Sequence, residues 1–289
     1  GYCNVGEIIE VGDDITEFQV GDRVVSNGPH AEIVLVPKNL CAIIPDEVPY
    51  NHAVFTIPAA IGLQGIRLLK PTFGETFLII GLGLIGNLTA QLLASQGCKV
   101  IGLDTDPDKC KLANELGIQT VPNELSNDPE KWCLSHNKNI GLDGVIITAS
   151  TKSNGPITIA PRICRKRGRI VLIGVTGLNL NRDLLYEKEI SLQVSCSYGP
   201  GRYDSNYEKK GIDYPIGFVR WTENRNMHSV LDLLSSKKMT LNDLDYLQVD
   251  FSNSPKYYEK LRNGELDNPL VLVYDKNPVP NKSIIIKNN

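Results

Sequence analysis

Phe77-Leu78-Ile79-Ile80-Gly81-Leu82-Gly83-Leu84-Ile85-Gly86 is the stretch of this 289-residue chain whose reading decides its fold. The four leading residues form a continuous apolar run, the pattern of a strand buried on both faces of a parallel sheet. A G-x-G-x-x-G turn follows at once. Beyond it Ile85, Leu88, Leu92 and Leu93 recur at helical spacing up to Gly97. A second strand, Val100-Ile101-Gly102-Leu103, ends in an acid, Asp104, 18 residues after Gly86. Strand, glycine turn, amphipathic helix and distal acid together meet the context that gives such a turn a dinucleotide-binding meaning. Gly81 permits the tight turn, Gly83 admits a pyrophosphate to the backbone, and Gly86 allows helix and strand to pack closely. The free N–H groups and positive dipole at the helix start, through Leu82, Leu84 and Ile85, face the phosphates.

Asp104 sets the expected cofactor. A carboxylate there accepts hydrogen bonds from both adenosine ribose hydroxyls and repels a 2′-phosphate, so NAD is expected over NADP. The alternative is an acid that only begins the Asp104-Thr105-Asp106 turn. Lys109 is a candidate for the same ribose, or a solvated helix lysine.

Working outward, residues 1–56 read as β. Glu7-Ile8-Ile9-Glu10-Val11 runs to a Gly12-Asp13-Asp14 turn, Asp22-Arg23-Val24-Val25 follows Gly21, and Ala31-Glu32-Ile33-Val34-Leu35-Val36 alternates up to Pro37. Short strands with frequent turns suggest a small barrel or sandwich. Residues 57–199 alternate strands with helices, the signature of an α/β doubly wound parallel sheet. Further strands are expected at 145–147, 170–173 and 190–194. Asp106-Pro107 should cap a helix closed by Gly117, and another should span roughly 157–167, closed by Gly168. Residues 200–275 then form a loop rich in Gly, Tyr and charge, a helix near 223–236, a strand at 246–249, a helix from Ser254-Pro255 to Gly264, and a strand at 270–273. Residues 276–289, with Pro278, Pro280 and Lys282, read as a linker tail.

Composition narrows the function classes. The chain is 42% hydrophobic and 22% charged, with 30 basic against 33 acidic residues and no basic stripe, so nucleic acid is not an expected partner. No apolar run reaches membrane-spanning length, and no signal peptide opens the chain. The seven cysteines are odd in number, widely spaced and without a C-x-x-C pair. They read as small buried residues of a protein of the reducing cytosol. The start, Gly1-Tyr2-Cys3-Asn4-Val5-Gly6, runs straight into a strand pattern and reads as part of a longer chain.

A β segment with Gly21-Asp22-Arg23-Val24, then the block with Gly81-x-Gly83-x-x-Gly86, then a return to strands resembles the medium-chain dehydrogenase/reductase superfamily, which includes zinc alcohol dehydrogenases and quinone reductases. The resemblance covers about residues 5–275. It implies a partial GroES-like β catalytic domain split around a Rossmann domain, with residues 200–275 returning to it, and homodimers. It also implies that Thr148, Ala149 and Ser150 meet the nicotinamide-side ribose. Ile173 and Gly174 with Val175 would hydrogen-bond the carboxamide, and Cys196, Ser197 and Tyr198 would complete the pocket. Cys196 is then a lining residue rather than a nucleophile.

The departures matter too. Phe55-Thr56-Ile57-Pro58 is similar to a zinc-binding stretch, but Thr56 stands where the zinc enzymes have a cysteine. The four-cysteine structural lobe is missing between Val25-Ser26-Asn27-Gly28 and Pro29-His30-Ala31-Glu32. His30 and His52 lack partners at ligand spacing, so no catalytic metal is expected. Asp267-Asn268-Pro269 replaces an arginine that clamps the pyrophosphate. The segment from Cys196 through Arg202, Tyr214 and Trp221 looks like two-part bacterial oxidoreductases. In those a zinc-lacking half precedes a Gfo/Idh/MocA-like domain, often among polysaccharide-biosynthesis functions.

Without zinc, a side chain or a ribose hydroxyl must polarise the reacting oxygen and move the proton. Tyr198, Arg220 and His30 are the catalytic candidates, with Tyr203, Tyr214 and Lys209 behind them. Arg202 and Arg220 could also receive an acidic substrate, or these loop residues could simply pack the loop. The resulting expectation is a zinc-independent NAD-linked oxidoreductase acting on an alcohol or carbonyl of a sugar- or polyol-like small molecule. A quinone or enoyl reductase and a non-catalytic cofactor-binding module are the alternatives.

Overall fold

The computed structural model describes residues 3–241, 244–266 and 268–274; the linker expected at 276–289 lies outside them. Two compact units divide the chain, residues 1–244 and 245–289.

Six parallel strands build the centre of the first unit: β4 (Thr76–Ile80), β5 (Lys99–Leu103), β6 (Gln119–Thr120), β7 (Leu142–Ile147), β8 (Cys164–Leu172) and β9 (Ser191–Val194), in the order β6-β5-β4-β7-β8-β9. Chain order reverses between β4 and β7, so the switch point of the sheet lies there. The register is nearly level along its carboxyl edge: Ile80 pairs with Leu103 and with Ile147, Ile147 with Leu172, and Leu172 with Val194. That row puts Gly81, Asp104, Thr148, Ile173 and Ser195 one step beyond it, although they lie up to 114 positions apart in sequence.

The strands alternate faces as the pleat requires. Leu78, Ile80, Val145, Ile147, Ile170 and Leu172 join one buried cluster with Cys133, Ile157, Ala160 and Ile163. The last four come from the helices α5 (Glu130–Ser135) and α6 (Gly155–Ile163). The opposite face takes α2 (Thr56–Leu69) and α3 (Leu84–Ser95). There α2 lies so close that a Cβ on Gly65 would meet Ile173 Cδ1 at 2.4 Å. The remaining helices are α1 (Tyr50–Ala53), α4 (Pro107–Glu115), α7 (Arg182–Lys188), α8 (Ser205–Glu208), α9 (Glu223–Ser235) and α10 (Ser254–Arg262). No described helix is long and apolar enough to cross a membrane.

The N-terminal β segment is an antiparallel sheet of β1 (Asn4–Glu7), β2 (Arg23–Ser26) and β3 (Cys41–Ile43). Two expectations change here. The first strand ends at Glu7 rather than Val11, leaving Ile9 exposed. The alternating run 31–36 is not a strand among the described residues. Its alternation is nonetheless real: Val34 and Val36 pack towards Gly28, while Ile33 and Leu35 face solvent. Periodicity chose the sides, but no ladder partner is present for the backbone.

Two further boundaries shift. The helix expected to reach 167 stops at Ile163, where Lys188 Nζ donates to the carbonyls of Pro161, Arg162 and Cys164, and the chain passes directly into β8. The two-residue β6, α2, α5 and α7 had no sequence expectation. Asp106 caps α4 as anticipated, accepting from Asp108 N at 2.9 Å.

In the second unit β10 (Leu247–Asp250) and β11 (Leu270–Val273) pair in parallel, with α10 in the connection between them.

Five of the seven cysteines are buried, Cys3 is intermediate and Cys196 is exposed. Burial pushes the thiols of Cys41, Cys133 and Cys164 up to about 12. Leu78 is fully buried at the centre of the sheet. Leu78→Ala should therefore cost about 2–5 kcal/mol, measured as a lower midpoint in chemical denaturation with an unchanged slope.

Candidate functional site

The glycine turn joins β4 to α3, and its backbone leaves little freedom. Gly81 has φ +98°, and a Cβ there would meet Ala149 N at 2.6 Å. A Cβ on Gly86 would fall 1.9 Å from Gly81 O. Gly83, the N-cap of α3, is different. Its backbone is extended, and nothing lies within 4 Å of where a Cβ would stand. The protein therefore does not need glycine at 83 for its own packing, and the space it leaves opens beside the unpaired first-turn N–H groups of α3. That is the shape of a phosphate cradle.

The turn is locked from three directions. Thr148 Oγ1 donates to Gly81 O at 2.6 Å, Asn87 Nδ2 donates to Leu82 O at 2.5 Å, and Asp104 Oδ2 accepts from Leu82 N at 2.7 Å. Asp104 Oδ1 accepts from Asp106 N at 3.0 Å. Two backbone amides thus hold the half-buried carboxylate in one orientation, and each oxygen keeps acceptor capacity towards a ligand. The residues present fit a dinucleotide: an open cradle, a helix N-terminus and an oriented acid share one edge. Lys109, expected near the ribose, pairs with Asp106 at 3.3 Å.

The residues expected on the nicotinamide side sit on the same carboxyl edge. Thr148 and Ala149 follow β7, and both backbone amides donate to Ile80 O. Ile173 and Gly174 follow β8 and donate to Ile147 O, each at 2.9 Å. Ser150 bridges to Val175. Cys196 is exposed beyond β9, and Ser197 turns the chain through φ +48°.

The catalytic candidates are not brought together. Tyr198, expected as a proton donor facing the nicotinamide, is fully buried, and Asn27 Nδ2 donates to its hydroxyl. Burial, then the neighbouring Glu223, pushes its phenol well above the usual tyrosine range. An alkaline, sealed phenol cannot hand a proton to substrate, so that role is withdrawn. Arg220 stacks on Trp221, 3.8 Å from the ring centroid, with Arg67 also stacked on it at 3.4 Å. His30 is exposed just after β2. Arg202 is committed to Glu208 at 2.5 Å, and Tyr214 donates to Asp204 at 2.5 Å. The loop after β9 is held both by its own pairs and by α9, from which Asn226 Nδ2 donates to Tyr198 O and Arg225 donates to Asp213 and to Val219 O.

Thr56 is fully buried and its hydroxyl donates to Ala53 O at 2.7 Å. Among the described residues no three or more of His, Cys, Asp and Glu gather where they could hold a metal ion. Of the stretch expected to lack the pyrophosphate clamp, Asp267 lies outside the described residues, and Asn268 Nδ2 donates to Asp245 at 2.6 Å.

Three polar residues escaped the sequence reading: Asn87, Asn27 and Glu223. Asn87 sits on the buried side of α3, where a polar residue among Leu88, Leu92 and Leu93 is itself a signal. Asn27 and Glu223 gave none, since one follows a strand and the other reads as an ordinary first-turn acid.

With this geometry established, comparison with known proteins is informative. The family described as zinc-binding dehydrogenase matches residues 85–210. D-guloside 3-dehydrogenase of Escherichia coli (strain K12) is 28% identical over 268 residues, covering 89% of this chain and 72% of that protein. Among solved structures, the alcohol dehydrogenase TADH from Thermus sp. ATN1 superposes with a TM-score of 0.78 at 18% identity, over 95% of this chain and 84% of that one. A short chain alcohol dehydrogenase from E. coli CFT073, complexed with NADH, gives a TM-score of 0.71 at 21% identity, over 93% and 81%. The chain shares its fold with these alcohol dehydrogenases, and its residues 85–210 match the zinc-binding dehydrogenase family. The match over residues 85–210 begins inside the glycine turn and takes in every strand end of the candidate site from Asp104 to Tyr198.

Gly83 and Gly86 offer a direct contrast. Gly86→Ala should lower the melting temperature by several degrees, because overpacking against backbone costs about 1–3 kcal/mol or more. Gly83→Ala should melt as the parent does yet lose tenfold or more in dinucleotide affinity. Calorimetric melting and titration of both variants check this pair.

Proposed function

We propose that this protein is a zinc-independent, NAD(H)-linked oxidoreductase acting on a secondary alcohol, or the corresponding ketone, of a sugar- or polyol-like substrate. One observation carries the cofactor choice. The Asp104 carboxylate stands at the end of β5, its two oxygens oriented by Leu82 N and Asp106 N, beside the open position at Gly83. A fixed acid with spare lone pairs suits a ribose diol and repels a 2′-phosphate. It favours NAD(H) over the NADP(H) that a quinone or enoyl reductase would commonly use.

The nicotinamide, when bound, accepts or gives the hydride. This chain's residues do the rest. The first turn of α3 meets the diphosphate charge, and Gly83 leaves room for it. Thr148 and Asn87 keep the turn rigid, and the backbone of 148–149 and 173–174 would hold the nicotinamide side of the cofactor. Support for a sugar-like alcohol comes from the relative named D-guloside 3-dehydrogenase. Support for a zinc-free site comes from the donor set: Thr56 is a poor zinc ligand whose hydroxyl is already spent on Ala53 O.

In titration calorimetry NAD⁺ should bind at least tenfold tighter than NADP⁺, and Asp104→Asn should narrow that gap. An unchanged preference would remove Asp104 from its assigned role. Oxidation of a D-guloside and polyol panel should survive exhaustive chelation; loss of activity restored by zinc would overturn the metal-free reading.

A further inference from the structure

A second cluster, unused by anything above, centres on Trp221. Arg67, in the last turn of α2, and Arg220 both stack on its indole, their central guanidinium carbons 3.4 and 3.8 Å from the ring centroid. Two carbons at those distances on one face would overlap, so the guanidiniums lie on opposite faces with the ring between them. Neither has a carboxylate partner among the described residues. Every other described arginine has one or, for Arg23, three backbone carbonyls. Half-buried Arg67 is held by neutral groups alone: Nε donates to Asn226 Oδ1 at 2.6 Å and Nη2 to Ser229 Oγ at 3.3 Å. Its remaining N–H donors, the Nη1 pair among them, have no partner among the described residues. Burial, then the charge of Arg220, lowers its proton affinity to about 10. At neutral pH the cation persists, fixed in place and without a counter-charge.

Arg67 and Trp221 line a cleft of about 450 Å³ with Leu63, Gln96, Ser229 and Asp232. Gln96 caps the far end of α3, whose 12 residues carry it about 18 Å from the glycine turn. The cleft is therefore separate from the dinucleotide cradle. We propose that it is a second ligand site, for a hydroxylated small molecule that carries an oxyanion, either a phosphate ester or a sugar acid. The oxyanion takes the unspent donors of Arg67, in the fork that a guanidinium offers to phosphoryl and carboxylate groups. Arg220 adds a second positive charge from the far face of the ring. Gln96 and Asp232, both exposed and making no side-chain hydrogen bond among the described residues, meet the hydroxyls.

Packing alone does not account for this arrangement. One guanidinium on Trp221 would pin the end of the loop after β9 onto α2. A second of the same sign, on the other face of the ring, adds repulsion. A bound oxyanion turns that repulsion into attraction. Asp232 then selects the kind of anion. A bare phosphate in the cleft meets a like charge there, whereas a ligand with O–H groups offers the carboxylate donors that it can accept. The volume agrees with this class, since it lies towards the small end of ligand pockets. Neither the cofactor nor the reaction proposed above enters this inference.

Titration calorimetry on the full chain at fixed ionic strength tests the site, with D-glucose 6-phosphate, D-gluconate, inorganic phosphate and uncharged D-glucitol as probes. At least one of the two polyol anions should bind at millimolar concentration or below, and glucitol should not. Which of them binds tells phosphoryl from carboxylate. Arg67→Gln should weaken that binding about tenfold or more, and Arg220→Gln about threefold. If Arg67→Gln does not melt cooperatively, Arg220→Gln, altered at an exposed residue, decides alone. Asp232→Ala should tighten inorganic phosphate and weaken the polyol anion. Absence of binding by both polyol anions overturns the proposal, as does equal affinity in the parent and Arg220→Gln. Binding lost in Gly83→Ala but kept in Arg220→Gln belongs to the phosphate cradle and overturns it too. Equal tightening of phosphate and polyol anion in Asp232→Ala overturns the hydroxylated class of ligand.

Discussion

Everything at the carboxyl edge of the sheet depends on one steric constraint, the approach of Gly86 to the carbonyl of Gly81. A methyl group at 86 would need the space that carbonyl oxygen occupies, 1.9 Å away. Because it is absent, α3 starts immediately beyond the strand, with its first-turn amides directed over the sheet rather than away from it. The same closeness lets Thr148 reach Gly81 O and Asp104 reach Leu82 N. The acid and the hydroxyl therefore belong to the turn as much as to any ligand. The cradle is set before a cofactor arrives, which spares binding part of its ordering cost.

Level registry does the second part of the work. Parallel strands from β5 to β9 end in one row because each crossover helix returns the chain to the same starting edge. Residues at 81, 104, 148, 173 and 195 then become neighbours with no direct attraction among their side chains. That is why strand ends carry the chemistry here while strand middles carry only packing, with Leu78 and Ile146 fully buried and apolar.

This division explains what the sequence revealed. The glycine turn, Asp104, the capped helix at Asp106-Pro107 and the strand ends were legible because backbone geometry and periodicity dictate those residue types locally. The run 31–36 misled because alternation reports two faces, not a hydrogen-bonding partner. The helix thought to reach 167 misled because its stop is supplied from a distance, by Lys188 reaching back to three carbonyls. Tyr198 was placed at the right strand end but on the wrong side of it. One residue earlier Ser197 adopts a positive φ, which nothing in its identity announces, and that turn sends the phenol inward.

The inward phenol also changes what kind of chemistry the site can use. An exposed tyrosine with a neighbouring lysine would supply a proton directly. A tyrosine sealed between an amide and a carboxyl cannot, but it can transmit polarity. Glu223 feels opposed influences, of which removal from water is the largest and disfavours its charge, while the Tyr198 hydroxyl and the Arg202 guanidinium favour it.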